Sequence, residues 1–197
     1  YKKCEINILI TGVGMLHTSF HCYRILSKNS YDLVLNVGIA GAFNPNLQMG
    51  EVVQIYSQQI GDLGAETPTA FIPIREMPFF DANKFPYQNG ILYNKHQSDL
   101  KSINKLKKAS SISVNKVSGA AKTIAEQKKI FNVDIESMEG AAFFYTCLML
   151  NIPFHEIRAI SNGVEVRNKN NWQIALAIEK LTLTLVEIIK EASTQTN

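Results

Sequence analysis

The sequence is short of the features that mark several protein classes. It has three cysteines, Cys4, Cys22 and Cys147, far apart and none in a Cys-x-x-Cys pair. That argues against a disulfide framework or a thiolate zinc site. Each cysteine lies in an apolar stretch, so buried free thiols in a reducing cytoplasm are expected. The four histidines are isolated from one another and from metal-ligand spacings, so no metal site and no cofactor are expected. No apolar run reaches the ~18 residues of a membrane helix. There is no signal peptide pattern at the start, where Tyr1-Lys2-Lys3-Cys4-Glu5 runs straight into a strand-like stretch. A chain that opens on Tyr rather than Met suggests that an N-terminal piece precedes it. Net charge is only +3. The densest basic run, Lys101 to Lys108, has no interleaved aromatics, so it reads as a solvated helix face and not as a nucleic-acid surface. Repeats, low-complexity tracts and linkers are absent too. What remains is 197 residues with 46% hydrophobic content. That is one domain, 1–197, able to bury roughly 70% of its unfolded surface.

Strand and helix patterns alternate along the chain. Residues 5–11 read as a strand, ended by Gly12-Val13-Gly14, with a helix over about 15–28. Residues 32–37 form a second apolar strand that ends at Gly38-Ile39-Ala40-Gly41. Strand, glycine turn, helix, strand is the pattern of a βαβ unit. Another strand begins at 51. Residues 61–97 keep no period and gather Pro68, Phe71, Pro73, Pro78, Phe79, Phe80, Phe85, Pro86 and Tyr87. A long aromatic loop in a compact domain is functional or partner-facing as a rule. Beyond it the pattern gives a helix (98–108), a strand (111–117), helices (120–131 and 137–150), a strand (154–160) and an amphipathic helix (171–191).

Two polar sites flank the last αβ unit. Glu139 opens an apolar helix, between Met138 and Gly140-Ala141-Ala142, and a carboxylate in such surroundings needs a partner. Glu136, three residues earlier, falls on the same face if the helix starts early, and reads as a charge favouring the helix N-terminus. Arg158 is the single cation of an apolar strand, with Glu139 or Glu156 as candidate ion-pair partners. Ser161 and Asn162 end that strand; Asn162 alone would read as a turn residue before Gly163. Gly12-Val13-Gly14 lacks the third glycine of a dinucleotide fingerprint, because position 17 is His. Ile39 sits where an anion site would want Ser or Thr.

In order and spacing, Gly12-Val13-Gly14, Asn36-Val37-Gly38-Ile39-Ala40-Gly41, Ser137-Met138-Glu139-Gly140-Ala141-Ala142 and Ile157-Arg158-Ala159-Ile160-Ser161-Asn162 resemble the nucleoside phosphorylase and nucleosidase family. The likeness covers nearly the whole chain. It implies a three-layer αβα fold around a mixed central sheet. Gly61-Asp62-Leu63-Gly64-Ala65-Glu66 and the Arg167 to Trp172 segment are similar to the futalosine-hydrolysing subgroup, which serves menaquinone synthesis. The resemblance implies catalytic roles for Glu139, Arg158 and Asn162. Glu139 would hold the ribose hydroxyls, Arg158 would help fix the attacking water or the acid that positions it, and Asn162, oriented by Ser161, would face purine N7 and O6. It implies substrate-binding roles for Val13, Gly14, Ile39, Gly41, Ser137, Met138, Ser161, Phe80 and Trp172. An amide at 162 can donate to N7 or a 6-oxo group but cannot act as an acid, which points to a hypoxanthine-type base. Ile39 in the second glycine segment favours water over phosphate as the attacking group. Family members begin with a strand and helix ahead of the Glu5 strand, and nucleosidases carry a water-activating Glu there; the likeness therefore implies that this N-terminal strand and helix are missing here. A small-molecule nucleoside is the expected partner, together with a second copy of the chain in a homodimer, and neither nucleic acid nor membrane.

Overall fold

A computed structural model describes residues 4–195. Nine strands and five α-helices follow in the order α1 (Met15–Leu26), β1 (Val34–Ala42), β2 (Val52–Ile60), β3 (Gly64–Glu66), β4 (Phe71–Pro73), β5 (Tyr87–Gln88), β6 (Ile91–Tyr93), α2 (Lys101–Asn104), β7 (Lys107–Ser113), α3 (Ala121–Phe131), β8 (Ile135–Ser137), α4 (Gly140–Leu150), β9 (Phe154–Gly163) and α5 (Ile174–Gln195). The main sheet is mixed and runs β5-β6-β2-β7-β8-β1-β9. β1 lies parallel to β9 and β2 parallel to β7, while β1 meets β8 antiparallel. β9 also pairs with β2, antiparallel, so five of the strands close on one another.

Three apolar clusters hold the layers. One packs α1 and α4 on the sheet through Cys22, Leu26, Phe143, Phe144, Cys147 and Phe154. A second seats α5 on β9 through Ala177, Leu181, Ile188, Ile157 and Ala159. The third sets Ile124 and Phe131 of α3 against Ile112 and Val114. α3 and α4 stop at Asn132 (φ 46°) and Asn151 (φ 53°), left-handed caps that asparagine tolerates. Cys22 and Cys147 are buried free thiols, whereas Cys4 is half-buried.

The structure changes several sequence expectations. Residues 5–11 form no ladder among the described residues, and Ile8 and Ile10 are each 87% exposed. Alternation supplied the strand pattern, but no strand among the described residues pairs with it: β1 carries β9 along its length and meets β8 only at Gly41 and Ala42. Gly38-Ile39-Ala40-Gly41 is not a turn; it lies inside β1, where strand pairing overrides glycine's turn preference. The helix expected over 98–108 is a single turn, and Lys107 and Lys108 begin β7. The aromatic stretch holds two small hairpins, β3–β4 and β5–β6. Ile135–Ser137 is strand β8, so Glu136 is not on the helix that Glu139 opens. On α5 the buried stripe runs Ala177, Leu181, Leu185 and Ile188, while Ile178 is exposed.

Candidate active site

Glu139 stands where two helices begin. It is the residue preceding α4, and its backbone carbonyl accepts from Phe143 N at 3.1 Å. Its Oε1 accepts from the backbone N of Gly14, the residue preceding α1, at 3.1 Å. Both helix N-termini thus favour negative charge at this carboxylate. Its other oxygen lies 3.7 Å from Arg158 Nη1. The Glu139 side chain is 19% exposed, so one side of it reaches open space.

Arg158 is 3% exposed and reaches this place because Gly38 opposes it on β1. A Cβ on Gly38 would sit 2.2 Å from Arg158 Nη1, so a side chain there would displace the guanidinium. Arg158 Nε donates to Glu156 Oε1 at 2.7 Å. Glu156 Oε2 accepts from Gln58 Nε2 at 2.7 Å, and Gln58 Oε1 accepts from Ser113 Oγ at 3.1 Å. Ser113 Oγ in turn accepts from Ala141 N, in the first turn of α4, at 2.8 Å. A continuous buried polar chain therefore runs from the start of α4 through β7, β2 and β9 back to Glu139. Glu156, fully buried, takes the strong contact with Arg158, and Glu139 keeps a longer one. Both ion-pair partners foreseen for Arg158 are present together. Gln58 and Ser113 carried no local signal, because each lies more than 50 residues from its partner.

The second group lies three residues further along the same strand pair, about 10 Å away at ~3.3 Å per residue. Here the register slips: Ala40 faces Ile160 but Gly41 faces Asn162, leaving Ser161 as the extra residue of a bulge. A bulge re-aims the side chain that follows it. Asn162 consequently sits beside Gly41 and lines a cleft with Val117, Ser118, Glu136, Arg167 and Trp172. Ser161 Oγ donates to Asn162 Oδ1 at 2.8 Å, and Asn162 Nδ2 donates to Gly163 O at 2.9 Å. Arg167 stacks on Trp172, its guanidinium 5.4 Å from the ring centre.

The structure thus groups Glu139, Arg158 and Gly14 at one place and Asn162, Ser161, Gly41 and Trp172 at another. Val13 is exposed beside Gly14, and the half-buried Met138 follows β8 directly. Ser137 is buried. Ile39 points elsewhere: alternation along β1 sends its side chain into the cluster beneath α5. Phe80 packs edge-on to Tyr87, which leans on Tyr145 of α4, apart from both groups. Glu136, read from sequence as a helix charge, is a buried wall of the cleft. Among the described residues no cluster of three or more His, Cys, Asp or Glu could hold a metal ion, and no helix is long and apolar enough to cross a membrane.

Residues 1–190 match the sequence profile of the phosphorylase superfamily, and the chain belongs to that superfamily. The relatives and solved structures it resembles are named as futalosine hydrolases and 5′-methylthioadenosine/S-adenosylhomocysteine nucleosidases. It is 28% identical to the futalosine hydrolase of Thermus thermophilus over 188 residues, 93% of this chain and 80% of the relative. Over 85 residues, 41% of this chain and 36% of the relative, it is 31% identical to the futalosine hydrolase of Streptomyces coelicolor. Its fold matches a 5′-methylthioadenosine/S-adenosylhomocysteine nucleosidase from Neisseria meningitidis in complex with methylthio-immucillin-A, with a TM-score of 0.68 at 22% identity, covering 92% of this chain and 79% of that one. It matches the futalosine hydrolase of Helicobacter pylori equally, with a TM-score of 0.68 at 16% identity, covering 92% and 77%.

Proposed function

We propose that this chain hydrolyses the N-glycosidic bond of a 6-oxopurine nucleoside of the futalosine type, releases hypoxanthine and so serves the futalosine route to menaquinone. The observation that carries this reading is the orientation of the Asn162 amide. The Gly163 carbonyl draws its NH₂ end, and its oxygen lies 2.8 Å from Ser161 Oγ, a hydroxyl it shares with Ala40 O. One N–H goes to Gly163, and the second is free for N7 or O6 of a base. A 6-amino base would present a donor to that donor, a mismatch that discriminates strongly.

The chemistry at the other end fits the same bond. As C1′–N9 breaks, its electron pair leaves with the base and positive charge builds on the ribose ring. Glu139 would accept from the ribose hydroxyls and attract that growing charge, so its stabilisation rises in the transition state. Glu156 takes the short contact with Arg158, and Glu139 keeps the longer one. Water adds its oxygen to C1′, the proton it loses ends on the departing purine anion to give the neutral base, and the Asn162 amide donates a hydrogen bond to N7 as charge builds there. Arg158 would position that water through Glu139. The roughly 10 Å between the two groups suits a nucleoside lying along the strand ends.

Incubation with futalosine and with 5′-methylthioadenosine, with and without phosphate, tests the reading. Hypoxanthine release from futalosine, independent of phosphate, is expected. Preferential adenine release, or a rate that needs phosphate, would overturn it. We further propose that two copies pair over the aromatic segment 61–87, where Phe79 and Phe85 are 75% and 68% exposed. A single-chain mass by light scattering would refute the pairing.

A further inference from the structure

We infer that Glu136 reads the base: its carboxylate accepts the N1–H of a 6-oxopurine whose N7/O6 edge is held by Asn162. The inference rests on the proposed function and adds a specificity residue to it.

Three adjacent strands make the geometry. Gly41 of β1 is in register with Glu136 of β8 on one side and with Asn162 of β9 on the other. At ~4.8 Å between strands, Glu136 and Asn162 rise about 10 Å apart with a bare glycine between them. That is a flat floor flanked by an acceptor and a donor. A Cβ on Gly41 would approach Val164 Cγ2 to 3.0 Å and Asn162 Nδ2 to 3.1 Å, so a side chain there would press on the Asn162 amide. Both flanking residues line the cleft.

Glu136 has no structural duty that its charge explains. It is 5% exposed. Among the described residues no cation pairs with it; it accepts only from Ser118, through the backbone N at 2.9 Å and Oγ at 2.5 Å. Burial and the nearby Asp62 push its carboxyl up from the ordinary carboxylate range, with Ser118 opposing them. An unpaired buried carboxylate in a cleft is costly to keep and marks a functional position. Ser118 uses one acceptor position on each oxygen, and a carboxylate has about four. The remaining positions are available to a donor in the cleft. Hypoxanthine supplies one at N1–H; adenine, whose N1 is itself an acceptor, does not.

The test begins with the native protein. Binding of hypoxanthine, 1-methylhypoxanthine and adenine is measured by calorimetry. Hypoxanthine should bind at least tenfold more tightly than 1-methylhypoxanthine, because methylation removes the donor. Glu136→Gln should shrink that ratio towards one and move kcat/KM from hypoxanthine nucleosides towards adenine nucleosides, since the amide can turn its NH₂ to an N1 acceptor. Equal binding of hypoxanthine and its 1-methyl derivative by the native protein would overturn the role of Glu136 and leave the proposed function standing. Binding of adenine without hypoxanthine would instead overturn the proposed function, and this inference with it. Should Glu136→Gln fail to fold, the native comparison still decides.

Discussion

The two halves of the site are built on opposite principles. At the Glu139 end most strong donors find a partner inside the protein: Ala141 to Ser113, Ser113 to Gln58, Gln58 and Arg158 Nε to Glu156, Gly14 to Glu139, with Arg158 Nη2 buried and unpartnered. At the Asn162 end groups are held in place but left with capacity: one N–H on Asn162 and lone pairs on Glu136. The first arrangement suits a fixed electrostatic field. The second suits reading a ligand. A transition state that develops charge at a constant place calls for a preorganised field, whereas choice between bases calls for unspent donors and acceptors.

The contrast is broken most severely at Arg158. Arg158→Ala leaves Glu156 buried without its cation, and a cost of about 3–5 kcal/mol is expected for such a deletion. Urea denaturation reads it directly, and a loss below about 1 kcal/mol would show that the chain of contacts does not support the fold. Next in size is Glu139→Gln. Removing one well-placed electrostatic stabiliser costs about 10²–10³ in kcat. Stability should change little, since Glu139 is partly open. Unchanged kcat on a cleavable nucleoside would remove Glu139 from its assigned role.

Smaller again is Asn162→Asp, which touches only the reading end. A carboxyl there can protonate N7 and accept from a 6-amino group. The ratio of kcat/KM for hypoxanthine over adenine nucleosides should drop at least tenfold, roughly 1.4 kcal/mol. A loss of activity on both bases alike would mean that residue 162 is not the base selector.

Much of the fixed end was legible beforehand. Glu139 was marked by the apolar, small-residue helix start around it, and Arg158 by being the lone cation of a strand. Their connection was not, because Gln58 and Ser113 reach Glu156 and Gln58 across 98 and 55 residues of sequence. The in-strand place of Gly38 was hidden for a similar reason: it is set by pairing with β9, where Arg158 opposes it and leaves no room for a side chain, which local turn chemistry does not foresee. Residues 5–11 misled in the opposite direction, since alternation reports a compatible strand and not the presence of a partner edge. Glu136 was misread because a strand of only three residues, β8, precedes α4 with two residues between, and the charge spacing of a helix was extended through both.

Glu136 and Glu156 sharpen the comparison at the smallest scale. Both are buried glutamates, but Glu156 has Arg158 and Gln58, and Glu136 has only the neutral Ser118. The folded protein raises the Glu136 carboxyl above its ordinary value, chiefly through burial. A raised carboxyl binds its proton more tightly folded than unfolded, so its contribution favours the fold at low pH. That contribution is lost as pH rises through the raised value. At neutral pH, therefore, the charged Glu136 works against stability. Glu136→Gln removes the charge and keeps one of the two acceptors that Ser118 uses. It should leave stability equal or slightly higher at pH 7, and the gain should fade as pH drops into the range where the native carboxyl is protonated. Glu156→Gln should be destabilising at pH 7, because it strips Arg158 of its counter-charge. Thermal melts of both variants from pH 4 to 8 compare the two directly. A Glu136→Gln protein as weakened at neutral pH as Glu156→Gln would mean that the reading end is held as tightly by its charges as the fixed end.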